Sequence, residues 1–419
     1  MANSTGTTPE SAGAVIEPAT AEEVAAALRD ASDRREAIVI RGCGTKSDWG
    51  RVPEGAAAIL SMRRLNRVLA HEHGDLTATV EAGATLREVN QALARHRQWL
   101  PLDPPFADEA TIGGILATND SGPLRHRYGT PRDLVIGIQL ATTDGVLSKA
   151  GGRVVKNVAG YDLSKLVTGS FGSLAVIVSA TFKLSPIASA SKTMIVSVQD
   201  AQRLGETVRT VMASQLEPIA FELEVSRSAR RPLSTTRAVS PADSASPAFT
   251  VFLRFASLPA VVDAQVAAAS AAVKGGATSI EVVEGDAEQA VWRAHAQGIW
   301  NGDGAVVRAS WLPANVATVV AEIERIVAEA SSTTGDVIGR AGVGAGLIRL
   351  DTDVAAQATI IDRLRASAGI GNVVLVRGSA ALKALVDVWG PHGDRQPLLA
   401  SLKRAFDPNG VLNAGRGPL

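Results

Sequence analysis

The chain has 419 residues, 46% hydrophobic and 20% charged, a globular composition with room for one large or two to three ordinary domains. Its 42 basic and 42 acidic residues cancel, which argues against a nucleic-acid surface or a polybasic membrane anchor, and no apolar run reaches transmembrane length. The first residues lack the basic and apolar regions of a signal peptide, and the single Cys43 excludes an internal disulfide framework and suits a reducing cytosol.

Residues 1–14 read as disordered. A helix follows in "PATAEEVAAALRDA", with Thr20 and Glu23 spaced as a capping box and Val24, Ala27 and Leu28 as its apolar stripe. Ala37 to Ile40 form a buried strand that breaks into a glycine turn. "DLTATVEAGATLREVNQALARH" reads as an alternating strand, a turn at Gly83 and a helix capped by Thr85 and Glu88. The Pro/Gly stretch "PLDPPFADEATIGGILATNDSGPLRHRYG" is expected to be non-regular. Asp144-Gly145 signals a hairpin, and Asp162 can cap "LSKLVTG", with Gly169 as its terminator. From about residue 190 to 385, strands such as "SKTMIVSVQD", "FTVFLRFA" and "AVVRASWLP" alternate with Ala-rich helices, an α+β pattern of an antiparallel sheet backed by helices. Residues 228 to 248 read as a flexible loop. The tail is an amphipathic helix stopped at Asp407-Pro408, followed by a turn expected to be exposed.

Three glycine-rich stretches carry the functional signal. In "RGCGTKS", two glycines one residue apart let backbone N–H groups converge on an anion, with Thr45 and Ser47 hydroxyls and the charges of Arg41 and Lys46 alongside. A plain tight turn would also account for it. It is neither a Walker A loop nor a Rossmann fingerprint, so a dinucleotide would need another architecture. "ATIGGILATNDSG" fits backbone laid along a flat or phosphorylated ligand, or else a glycine-loosened helix. "KNVAGYDLSKLVTGSFGSLAVI" ends in Gly172 at the mouth of a buried strand, where a glycine permits close approach of a ring or ribose.

Together with "EAGATL", "YGTPRDLVIGIQLATTDG" and "FDPNGVLNAGR", these stretches resemble the vanillyl-alcohol oxidase, or PCMH-type, FAD-binding family, and within it the FAD-binding subunit of bacterial glycolate oxidase known as GlcE. Strong resemblance covers residues 15 to 190 and the last 20. It implies an α+β fold: a two-lobed FAD-binding domain at 15–190, an α+β cap domain with an antiparallel sheet at 191–385, and a segment at 386–419 that returns to the FAD domain. The pyrophosphate would lie on Arg41, Gly42, Cys43, Gly44, Thr45 and Lys46. Thr111, Gly113, Gly114, Thr118, Asn119, Ser121 and Gly122 would line the cofactor, as would Asn157, Gly172, Ile177 and Asn413. The FAD would be non-covalent, because relatives that tether it place a His in the loop and this one reads Gly-Cys-Gly-Thr.

The family's metal-binding Gly-His-Ala-Gly-Asp-Gly-Asn motif is replaced by "GRAGVGAGLIR", with Arg340, Val343 and Ala345 in the ligand positions, and "WGPHGD" has Pro391 where an acid would precede His392. A metal site needs several convergent N and O ligands, and none is expected here. Oxidation of a 2-hydroxy acid needs a base for the hydroxyl proton, a cation for the carboxylate and a hydride acceptor. The resemblance therefore implies a subunit of a cytoplasmic glycolate oxidase complex, at most peripheral to the membrane, working with a second FAD-containing catalytic subunit and an iron–sulfur subunit. The alternatives are a self-sufficient oxidoreductase on another hydroxy acid or alcohol, with Tyr161, Arg308 or Arg349 in its site, and a flavin-free scaffold.

Overall fold

The computed structural model describes residues 13–152, 161–226, 248–330 and 335–418. The expected disordered leader, Asn157 and the loop near 228–248 lie wholly or almost wholly outside them. The chain divides into two compact units: Met1–Gly122, Tyr128–Ile187 and His392–Leu419 form one, and Pro123–Arg127 with Ala188–Pro391 forms the other.

In the first unit the β-branched run Ala37–Arg41 pairs parallel with Ala56–Ser61, which also pairs parallel with Ala14–Ile16. The helix Ala21–Arg34 lays Val24 and Leu28 onto this sheet, in a core that also takes Ile38, Leu60, Val176 and Val178. Its cap differs slightly from expectation. Thr20 Oγ1 accepts from Glu23 N at 3.1 Å, but the Glu23 carboxylate reaches past the cap residue to Ala19 N. The box at Thr85 and Glu88 closes in both directions, at 3.0 and 3.2 Å.

An antiparallel five-stranded sheet runs in the order Val68–Glu72, Thr77–Glu81, Val176–Lys183, Val135–Ala141, Leu147–Gly151. Its last two strands form the hairpin expected at Asp144-Gly145, with Gly145 at φ +77°. The "ATIGGILATND" stretch is not irregular. It holds the helix Ile112–Thr118, capped by Thr111 and ended by Asn119 in the left-handed region. Two interior glycines cost about 1 kcal/mol each in helix propensity, yet Ile112, Ile115 and Leu116 are fully buried and their packing outweighs that cost.

The tail also departs from expectation. The helix Gln396–Phe406 ends at Asp407, but the turn beyond is buried: Val411, Leu412 and Asn413 are 3% exposed or less. The Asp407 carboxylate accepts from the amides of Val411 and Leu412 and holds Lys403, which fixes the turn. Ile38 and Leu412 form a parallel bridge, so the tail extends the parallel sheet.

The second unit is an eight-stranded antiparallel sheet in the order Ala277–Glu284, Ala190–Val198, Ala248–Ser257, Ala220–Ser226, Gly335–Arg340, Ala345–Leu350, Ala305–Ser310, Gly371–Arg377. Alternation along Ala220–Ser226 sends Phe221, Leu223 and Val225 into an apolar core with the helices Ala201–Met212, Pro259–Val273, Val316–Ala330 and Val354–Ala366. Glu222 and Glu224 point to the other face, where both are buried beneath the helix Gly285–Gly298.

Candidate functional site

Within the first unit an open groove holds about 790 Å³ of empty space, its mouth included. Three walls and a clasp build it. One wall is the loop leaving the strand Ala37–Arg41, contributing Arg41, Gly42, Cys43, Gly44, Thr45 and Lys46. The second is the start and inner face of the helix Ile112–Thr118, with Thr111, Gly113, Gly114 and Thr118. The third is the turn and strand through Gly172 and Ile177, and the tail closes the end with Asn413 and Arg416.

The glycines serve a different purpose from the one the sequence suggests. A Cβ on Gly42 would stand 2.2 Å from Thr111 Oγ1, and one on Gly172 would stand 2.7 Å from Asn413 Nδ2. Gly172 also sits at φ +69°, a backbone state that favours glycine. Their missing side chains let the walls close on one another. The groove is what remains between them.

The electrostatics favour an anion at the loop. Lys46 is buried beside the groove, and its Nζ has no hydrogen-bond partner among the described residues. The nearest carboxylate oxygen, Asp120 Oδ2, lies 3.6 Å away, too far for a hydrogen bond, and the ammonium sits over the Trp49 ring at 5.3 Å. Burial depresses the Lys46 pKa, with Asp120 opposing it. Arg416 is buried at the same end, and burial pulls it down to about 10 against the charge of Asp48. An orphaned buried ammonium at a loop of backbone donors fits the diphosphate of a dinucleotide. Cys43 is exposed on the loop, and partial burial of its sulfur raises the thiol pKa, which disfavours the thiolate.

The remaining expected residues fall elsewhere. Asn119 ends its helix and its Oδ1 accepts from Arg132 N at 3.3 Å. Ser121 is buried, and Gly122 packs against Asp103, whose Oδ1 accepts from Gly122 N. None of the three lines the groove, because the left-handed Asn119 turns the chain away. Tyr161 is 92% exposed. Arg308 lies half-buried on the strand Ala305–Ser310 of the second unit. Arg349, on the strand Ala345–Leu350, is held by Asp351 at 2.7 Å. Arg416, Met62 and Phe171 line the groove without having been expected; the only hint was the "NAGR" motif that carries Arg416.

The second unit carries a separate charged cluster. His295, fully buried, has Nε2 3.2 Å from Glu222 Oε2 and Nδ1 3.3 Å from Glu224 Oε2. Burial alone would lower its pKa, but the two carboxylates outweigh that and raise it to about 9. Arg340, where the metal-binding relatives would carry a His, has Nε 3.8 Å from Glu222 Oε1. His71 and His73 are joined by His96, whose ring stacks on that of His73 at 4.5 Å, and His71 Nε2 bonds Gln98. Among the described residues no group of three or more His, Cys, Asp or Glu is arranged to hold a metal ion.

The fold and groove define a dinucleotide-binding oxidoreductase built without a Rossmann unit. Two family models match in chain order: "FAD binding domain" over residues 12–151 and "FAD linked oxidases, C-terminal domain" over 187–361. The chain belongs to this PCMH-type FAD-linked oxidase family, and FAD is its cofactor. It is 32% identical over 209 residues to glycolate oxidase subunit GlcD of Bacillus subtilis, covering 50% of this chain and 44% of that protein. To the glycolate oxidase subunit GlcE of Escherichia coli it is 34% identical over 199 residues, 47% of this chain and 54% of that protein. The chain thus matches about half the length of each, and the similarity to GlcE is not set apart from that to GlcD. D-2-hydroxyglutarate dehydrogenase of Xanthomonas citri is 28% identical over 426 residues, 96% of this chain and 88% of that protein. The solved structure of p-cresol methylhydroxylase with substrate bound shares the fold, with a TM-score of 0.71 at 16% identity over 96% of this chain and 88% of that one.

Proposed function

We propose that this chain is the FAD-binding subunit of a 2-hydroxy-acid oxidase complex, with glycolate as substrate. The observation that carries the reading is the groove with its orphaned Lys46 ammonium, in a chain similar to two glycolate oxidase subunits. FAD, when bound, supplies the hydride acceptor. The chain's own residues do the rest: the Arg41–Lys46 loop binds the diphosphate non-covalently, Thr111 and the helix it caps form the facing wall, and Gly172 and Ile177 bound the far side. A second FAD subunit would perform the substrate chemistry, and an iron–sulfur subunit would take the electrons. The complex would work in the cytoplasm and meet the membrane only at its surface; among the described residues no helix is long and apolar enough to cross one.

A second reading rests on the near full-length match to D-2-hydroxyglutarate dehydrogenase: a chain that oxidises a D-2-hydroxy acid by itself. Purification alone and with its native partners, with flavin and iron counted and dye reduction followed on glycolate, D-lactate and D-2-hydroxyglutarate, separates the two. The complex reading expects glycolate turnover only with partners present and iron in the preparation. Single-chain turnover at the rate of the assembled preparation establishes the second reading instead.

A further inference from the structure

The tail touches every wall of the groove, although it supplies only two of its lining residues. Ile38 N donates to Val411 O at 2.8 Å, and Asn413 N donates to Ile38 O at 3.0 Å, which fastens the tail along the first wall's strand. The Asn413 side chain then spans two walls. Its Oδ1 accepts from Ile40 N at 3.0 Å, while its Nδ2 donates to Phe171 O at 2.7 Å, in the turn before Gly172. The Arg416 guanidinium, 8% exposed, donates from Nε to Trp49 O at 3.1 Å and from Nη2 to Lys46 O. Two more backbone bonds, Arg51 N to Arg416 O and Glu54 N to Ala414 O, continue the seam. Lys403 completes it from the preceding helix by donating to Ser173 O and Leu412 O.

The backbone bonds within the loop that would receive the diphosphate are short-range turns, Ser47 N to Gly44 O and Trp49 N to Lys46 O. Arg416 binds the carbonyls of Lys46 and Trp49, so it sets where the Lys46 ammonium and the neighbouring amides stand. A buried guanidinium whose fork is used on two carbonyls of one loop is a rigid brace, and a lysine in its place could not reproduce the fork.

We infer that Asn413 and Arg416 are positioning residues for FAD, and that docking of the 411–416 segment and binding of FAD are coupled, each strengthening the other. The inference rests on FAD occupying the groove. Linkage makes the coupling reciprocal: if the docked tail tightens FAD, FAD must tighten the tail by the same factor. A merely structural tail would contribute to stability equally with and without cofactor.

The test uses the full chain, stripped of flavin and reconstituted with FAD. Arg416→Met should weaken FAD at least tenfold by fluorescence titration at a temperature where both apoproteins are folded, and Arg416→Lys should recover part of the loss. In the wild-type chain, FAD should slow tryptic cleavage after Arg416 by a similar factor. Asn413→Asp keeps the acceptor for Ile40 N and removes the donor to Phe171 O; it should lower FAD affinity independently and serves if Arg416→Met does not fold. Unchanged FAD affinity in the folded variants, or cleavage after Arg416 at the same rate with and without FAD, overturns the coupling. Failure of the wild-type apoprotein itself to take up FAD would instead sink the cofactor assignment on which the inference rests.

Discussion

Gly42 and Thr111 meet across the groove so closely that the hydroxyl of one takes the space where the other's Cβ would be, 2.2 Å from Oγ1 and 2.8 Å from Cγ2. Gly42→Ala should therefore push the loop off the helix and weaken FAD at least about 10-fold, equivalent to 1.4 kcal/mol. Thr111→Ala costs only a helix cap, about 1 kcal/mol, and in the double variant it should restore most of the FAD affinity. Flavin titration of the four proteins forms the cycle. Simple additivity would show that the two residues do not share the space the structure gives them.

Lys46 holds a buried charge with no hydrogen bond of its own among the described residues. If the FAD diphosphate completes it, Lys46→Met should weaken FAD by about 10- to 100-fold, the worth of a charge-assisted hydrogen bond. The salt dependence of binding should flatten at the same time. FAD affinity within about twofold of the wild type would remove Lys46 from the diphosphate site.

The His295 cluster makes a pH prediction for the second unit. Its folded pKa of about 9 lies above the ordinary 6.5, so the stabilisation is fully present below about pH 6.5 and is lost as pH rises through about 9. The shift corresponds to on the order of 3 kcal/mol. Urea unfolding at pH 7 and pH 10 should show the wild type losing much more stability than His295→Gln. Parallel losses in the two proteins would mean that His295 is not the group that titrates.

Tyr161, 92% exposed, should be replaceable by Phe with no change in flavin content or melting temperature, since surface substitutions of this kind usually fall within about 0.5 kcal/mol. A preparation of Tyr161→Phe with reduced flavin absorbance would put the residue back at the cofactor.

What could be read from the sequence was what is local in it. The Thr85–Glu88 box needs four consecutive residues, the hairpin at Gly145 needs two strands and a turn, and both form as the pattern predicts. The "RGCGTK" loop was legible for the same reason. What escaped depends on partners far along the chain. The need for glycine at 42 and 172 comes from Thr111 and Asn413, which no local pattern reveals. The helix Ile112–Thr118 looked too rich in glycine to form, because propensity could be counted and the burial of Ile112, Ile115 and Leu116 could not. Glu222 and Glu224 sat unremarked in a strand because the histidine that compensates them lies on a helix some seventy residues later.

The distance between Arg416 and the loop it braces has a consequence for how the protein is made. Lys46 and Arg416 are 370 residues apart. At roughly 5–20 residues per second, about 20 to 75 s of translation separate them. During that interval the whole second unit emerges, while the loop, the helix wall and the Phe171 turn wait without their clasp. The nascent chain therefore presents a half-built groove with a buried-type lysine still open to water. Flavin supply would bear on the yield of finished protein at the close of synthesis, and cells short of riboflavin should accumulate chains whose tails proteases can reach.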